Sequence, residues 1–174
     1  MSAPLCIETP RLRIRWLQSD DAGFILRLVN DPDWLRHIGV RNVSNLDDAR
    51  DYIENSVCAM YARVGFGLNR VALKECDTAI GLCGLLQRDG LPSSDLGYAL
   101  LPEYRNQGFA LEAARAVLAH GVEQLAQTRV CAIVSADNRT SIQLLHKLGF
   151  HFDQQISMQP NNKTVDLYNI QLVD

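Results

Sequence analysis

Near the start of the chain Leu12, Ile14 and Trp16 alternate with Arg11, Arg13 and Arg15, a period of two that predicts a half-buried first strand. Ile25, Leu28 and Val29 then share one helical face, with Ser19 or Asp20 as candidate N-cap and Asn30-Asp31-Pro32 as the stop. A second helical stripe carries Leu46, Ala49, Ile53, Val57 and Met60, with Ser44 as the expected N-cap and Asp47 in the first turn. Three apolar runs follow, at about Phe66 to Lys74, Ala79 to Leu86 and Asp95 to Leu101, and predict an antiparallel meander. Gly108 to about Leu125 predicts a long helix and Val130 to Val134 a strand. Ser141 to Leu148 predicts a short helix closed by Gly149. Gln155-Ile156 and Thr164 to Leu172 flank turn chemistry at Pro160-Asn161-Asn162-Lys163, which predicts a terminal hairpin.

The expected order is therefore β-α-α-β-β-β-α-β-α-β-β. It describes an α+β fold with a single, mostly antiparallel, mixed sheet flanked by helices, and one β-α-β crossover through the long helix. Residues 1–174, with 47% apolar composition, suit one domain with one sizeable core.

The formal charge of -3 argues against the broad basic face that nucleic-acid binding needs. No apolar run approaches the roughly 20 residues that span a bilayer, and Met1-Ser2-Ala3-Pro4-Leu5 does not resemble a signal peptide. A soluble, cytoplasmic protein with no membrane or nucleic-acid partner is expected. Cys6, Cys58, Cys76, Cys83 and Cys131 are odd in number and contain no C-x-x-C pair, so reduced core thiols are expected rather than disulfides or a zinc site. His37, His120, His146 and His151 lack ligand spacing, and no metal is expected. Trp16 and Trp34 are expected in the core, and the Arg11, Arg13 and Arg15 face in solvent.

The segment with the most chemistry is Arg105-Asn106-Gln107-Gly108-Phe109-Ala110, at the entry to the long helix. Unpaired N–H groups and the positive end of the helix dipole suit an anion there, and Gly108 and Ala110 allow close backbone approach. Arg105 adds a cation. By itself R-x-x-G-x-A is also the pattern of an ordinary strand-to-helix turn. Neither G-x-G-x-x-G after a strand nor G-x-x-x-x-G-K-[ST] occurs, which argues against a dinucleotide or NTP site.

Three segments together resemble the GNAT superfamily of acyl-CoA-dependent N-acetyltransferases, in the branch of ribosomal-protein N-terminal acetyltransferases. They are Glu8-Thr9-Pro10-Arg11-Leu12-Arg13-Ile14-Arg15, the run from Leu96-Gly97-Tyr98 through Ala113, and Asn138-Arg139-Thr140-Ser141 followed by Lys147-Leu148-Gly149-Phe150. The resemblance implies acetyl-CoA as co-substrate and a primary amine as acceptor, either a protein N-terminus or a small molecule. It implies that backbone groups of Tyr98, Ala99 and Leu100 pair with the pantetheine arm, that Arg105, Asn106, Gln107, Gly108, Phe109 and Ala110 wrap the pyrophosphate, and that Asn138 contacts the cofactor. Asp137 or Asn138 is equally a candidate helix cap.

The chain departs from the family where proton transfer is usually carried. The usual tyrosine acid is replaced by Leu145, and the usual glutamate by Ile133. Ser141 matches the branch's proposed acid and is read as a hydrogen-bond donor to the thiolate, or else as a plain first-turn serine. Asp95 is the candidate base, or else an exposed strand-end carboxylate, and Glu103 ranks below it. Asp47, Asp48 and Asp51 could form an acidic groove for a cationic acceptor or a simple solvated face. The missing acid and base leave a second class open, an acyl-CoA-binding module without turnover. Monomer and homodimer are both compatible with the sequence.

Overall fold

The computed structural model describes residues 5–159 and 162–173, so Pro160 and Asn161 of the expected hairpin turn lie outside the described residues. Eight strands form one sheet in the order β1-β2-β3-β4-β5-β6-β8-β7. They are β1 (Cys6–Glu8), β2 (Leu12–Trp16), β3 (Leu68–Leu73), β4 (Ala79–Leu86), β5 (Asp95–Leu100), β6 (Arg129–Val134), β7 (His151–Met158) and β8 (Lys163–Gln171). Only β5 and β6 run parallel. The fold is thus the expected mixed, mostly antiparallel sheet flanked by helices.

The helices are α1 (Ala22–Val29), α2 (Pro32–His37), α3 (Leu46–Tyr52), α4 (Ala59–Val64), α5 (Phe109–Leu125) and α6 (Arg139–Leu148). A π-helical stretch, Ile53–Cys58, joins α3 to α4. Two apolar layers sandwich the sheet. Leu12, Ile14, Leu96, Leu100, Val130, Ala132 and Val134 pack with α5 on one face. Leu82, Ala99 and Leu101 pack with α1, α3 and the π stretch on the other.

Several expected boundaries shift for local reasons. Asn30-Asp31-Pro32 does end α1, at Val29, but Pro32 also starts a further helix, α2, because Asp31 caps it by accepting from the Asp33 and Trp34 N–H groups. Asn45, not Ser44, caps α3: its Oδ1 accepts from Asp47 and Asp48 at 2.9 Å, while Ser44 donates to the Asp48 carboxylate. Neither Ser19 nor Asp20 caps α1. A 3-10 turn, Ser19–Asp21, intervenes, and Asp21 precedes α1 without capping it. Its carboxylate instead accepts two hydrogen bonds from Arg15 and lies 3.1 Å from Arg70 Nε. The arginine face is therefore not wholly solvated, since Arg15 joins a largely buried ion cluster. Trp34 is buried, whereas Trp16 is half-buried and stacked on Tyr61 at 4.5 Å. Of the cysteines only Cys83 and Cys131 are core thiols, and Cys6 and Cys76 are exposed.

β4 carries the closest backbone approach. A Cβ built on Gly84 would lie 2.0 Å from the Gly67 carbonyl oxygen, on the segment that leads into β3. Gly84→Ala must push two backbone segments apart, so urea unfolding should show a loss on the order of 1–3 kcal/mol with an unchanged m-value.

Candidate active site

β5 and β6 share a single register pair, Asp95 with Cys131, where the Cys131 N–H donates to the Ser94 carbonyl at 2.9 Å. Beyond it they part, and a cleft of about 1350 Å³ opens between them. In the antiparallel β4–β5 ladder the Leu101 N–H reaches the Ile80 carbonyl, and the Ala99 carbonyl is turned toward Gly81. Alternation then directs the backbone groups of Tyr98 and Leu100 away from β4, into the gap. Ala99 also lines the cleft, but its carbonyl lies on the β4 side. The Leu100 carbonyl is also taken, accepting from Arg105 Nε at 2.9 Å.

The parting exposes both faces of the sheet to one cleft. On the α5 side it is lined by Tyr98, Gly108, Phe109, Asn138 and Ser141; on the other side by Tyr52, Ser56, Met60, Arg88 and Asp95. Gly97 lets Leu86 pack against the β5 backbone, since a Cβ there would lie 2.7 Å from the Leu86 side chain.

The loop before α5 has the backbone that an anion site needs. Asn106 and Gly108 both take left-handed conformations, at φ 59° and φ 80°, and no side chain caps α5. Its first-turn N–H groups thus face the cleft with the dipole behind them. Arg105 does not supply the expected free cation. Its guanidinium binds Asp31 at 2.6 Å and also Asp33, so it fastens the loop to the start of α2. On the opposite flank Arg11, which the sequence did not single out, donates to the Gln107 carbonyl at 3.0 Å, pairs with Glu112 and lies over the Phe109 ring. The loop is thus held on one flank by its own Arg105 reaching α2 and on the other by Arg11 reaching in from β2's approach.

The far end of α2 is tied across the cleft. Arg36 pairs with Asp137 at 2.9 Å, and Lys163 donates to the His37 carbonyl at 3.0 Å. Helix α2 therefore bridges the open ends of β5 and β6. His37 and His120 are half-buried rather than exposed, and among the described residues no three His, Cys, Asp or Glu side chains converge on a metal-sized site.

Asn138 is the α6 cap, accepting from the Ser141 N–H at 3.2 Å. The Ser141 carbonyl accepts from the Tyr98 hydroxyl at 3.1 Å, a brace across the gap that no local sequence pattern signals. Leu145 is buried in the core and Ile133 lines the cleft, so neither position offers a proton-transfer group. Asp95 is not an exposed strand-end carboxylate. It is 1% exposed, its Oδ1 has no hydrogen-bond partner, and burial pushes its pKa up to about 6 against the opposing pull of Arg88, whose Nε is 3.4 Å from Oδ2. Glu103 is exposed and held by Arg27. Asp47, Asp48 and Asp51 lie on the exposed side of α3 and do not line the cleft.

A mixed sheet split between two parallel strands, with an uncapped helix N-terminus at the split, defines a class of acyl-transfer folds. The family model "Acetyltransferase (GNAT) domain" matches residues 11–151, and the chain belongs to this GNAT acetyltransferase family. The uncharacterized N-acetyltransferase YoaA of Bacillus subtilis (strain 168) is 31% identical over 147 residues, covering 83% of this chain and 81% of that protein. Among solved structures, an acetyltransferase from Agrobacterium tumefaciens superposes with a TM-score of 0.81 at 23% identity, covering 98% of this chain and 96% of that one. The ribosomal-protein-S5-alanine acetyltransferase from Vibrio fischeri also gives 0.81, at 17% identity and 98% coverage of both chains. The protein is an acyltransferase.

Removing Arg105 strands Asp31, which is buried, and releases one end of α2. Arg105→Gln should lower stability by about 1–3 kcal/mol and speed amide hydrogen exchange selectively in residues 33–38. Uniform exchange across the chain would show that Arg105 does not hold α2.

Proposed function

We propose that the chain transfers acetyl from acetyl-CoA to a primary amine by direct attack of the amine on the thioester. The observation that carries this reading is the gap between β5 and β6, because it places unpaired strand backbone beside an uncapped helix start. The pyrophosphate would lie on residues 105–110, on the backbone N–H groups of the α5 entry rather than on the Arg105 charge. The pantetheine amides would pair with the Tyr98 and Leu100 backbone, continuing the sheet across the gap, and Asn138 would approach the same arm. Ser141, whose backbone is held from both sides, would present its hydroxyl to the departing thiolate.

The amine must lose a proton as its nitrogen bonds to the carbonyl carbon and the C–S bond breaks. Asp95 would take that proton. The other cleft-lining carboxylates among the described residues, Asp31 and Asp33, are both paired with Arg105. A base with a pKa near 6 is ionised at neutral pH yet more basic than a surface carboxylate. The apolar residues at Leu145 and Ile133 favour the binding-module alternative, and Asp95 opposes it. Thiol release across an amine panel separates them: saturable acetyl-CoA binding without CoA release would leave only the module.

Asp95→Asn should reduce kcat about 100-fold while changing acetyl-CoA affinity far less. The wild-type kcat/KM should show an acid limb near pH 6 that the variant lacks, and an unchanged profile would remove Asp95 from this role. Stability should move the other way. The folded pKa lies above the unfolded value near 3.8, so the wild-type protein loses stability as pH rises from about 4 to 6 and does not regain it above. At pH 8 the Asn variant should be the more stable, by on the order of 2–3 kcal/mol in chemical unfolding, an advantage that fades as pH falls from about 6 to about 4.

A further inference from the structure

Asp95 and Arg88 form a charge pair that the chain leaves incomplete. Asp95 Oδ1 has no partner, and among the described residues Arg88 makes no hydrogen bond to any protein group, its one close contact being the 3.4 Å approach to Asp95. Both line the cleft, and the Arg88 side chain is 36% exposed there. Their place in the sheet sets them apart from the anion loop. Asp95 opposes Leu86 across β4–β5 and shares the face of Ala99, whereas α5 packs on the face of Leu96 and Leu100. Arg88, two residues beyond Leu86, extends along the same side as Asp95. The α5 entry and this pair thus lie on opposite faces of the sheet.

We propose that the acceptor is a small α-amino acid, its amine held at Asp95 and its carboxylate read by Arg88. This rests on the acetyl-transfer reading and names the substrate class for it. An α-amino acid separates its nitrogen from its carboxylate by one carbon, which suits two opposite charges already side by side. A guanidinium with unfilled donors is matched to a planar carboxylate by a pair of parallel hydrogen bonds. As the carboxylate draws Arg88 to itself, Asp95 loses its only counter-charge and becomes the stronger base, because Arg88 is what holds its proton affinity down. The nitrogen then bonds to the thioester carbonyl carbon, its proton passes to Asp95, and CoA leaves as the thiolate and takes up a proton. The products are an N-acetyl amino acid and CoA. Helix α2, tied at both ends across the cleft, favours a small acceptor over a folded protein's terminus.

The test is steady-state thiol release by the full chain with acetyl-CoA and a panel of α-amino acids, each beside its carboxamide and a dipeptide that begins with the same residue. The acids should exceed their carboxamides in kcat/KM at least about tenfold. In Arg88→Gln the ratio of acid to carboxamide should fall by about thirtyfold or to unity, and Arg88→Lys should restore part of it. Equal turnover of carboxamides or dipeptides by the wild-type chain, or an unchanged ratio in Arg88→Gln, overturns the proposal. If no amine releases thiol, acetyl transfer fails on its own account. Thermal stabilisation then decides the acceptor: a shift with amino acids but not carboxamides, lost in Arg88→Gln, supports it, and no shift overturns it.

Discussion

The cleft depends on one constraint: two parallel strands that pair once and then separate. Parallel neighbours inside a sheet normally continue their hydrogen bonds along their length, and unpaired backbone inside a protein costs free energy unless another partner is found. Here the pairing stops after Asp95 and Cys131, and the strands are held apart rather than left to close. Each is fully paired on its outer side, β5 to β4 and β6 to β8, so neither can turn toward the other without breaking a longer ladder. The Tyr98 hydroxyl on the Ser141 carbonyl fixes the gap on the α6 side, and α2 spans its open end. The opening is a property of the whole sheet.

Most charges near the opening are committed to that architecture. Arg105 and Arg11 grip the anion loop by its backbone and by neighbouring carboxylates, so the loop's positive character comes from N–H groups and the helix dipole. Fixed backbone dipoles need no reorganisation when an anion arrives, whereas a flexible surface arginine would lose side-chain entropy on binding it. The carboxylates Asp31, Asp33 and Asp137 are likewise spent on holding α2. This leaves Asp95 and Arg88 as the pair whose geometry the fold itself does not explain.

The sequence carried the fold where apolar periodicity and turn chemistry were strong. The meander, α5 and the crossover to β6 all follow from such runs. It missed β1 and most of β7, because Cys6–Glu8 is very short and His151–Met158 is an edge strand whose side chains are mostly exposed. Helix α2 was missed because Asn30-Asp31-Pro32 was read only as the end of α1, when Asp31 also caps a new start. The turn into α5 was legible from Gly108 and its place before a helix. The behaviour of Arg105 was not, since its partners Asp31 and Asp33 are more than seventy residues away and no local pattern links them. For the same reason Arg88 passed unnoticed: it lies in a loop after β4, and only the β4–β5 register brings it to Asp95.

Asp95 shows why a strand-end carboxylate could be read as either base or surface group until its burial was known. Sequence places it first in β5, where exposure is common, but the return of β6 to pair at that residue covers it. Burying an ionisable group with one unsatisfied oxygen and a single, loosely held counter-charge weakens the fold at neutral pH. An asparagine there would avoid that cost, and a well-packed leucine would remove it. A carboxylate kept at such a position is therefore best understood through what it does when the cleft is filled. With tyrosine and glutamate absent from Leu145 and Ile133, the proposed reaction would pass proton removal to Asp95, whose burial raises its basicity. The chain then relies on position and backbone electrostatics for the remainder of the acceleration.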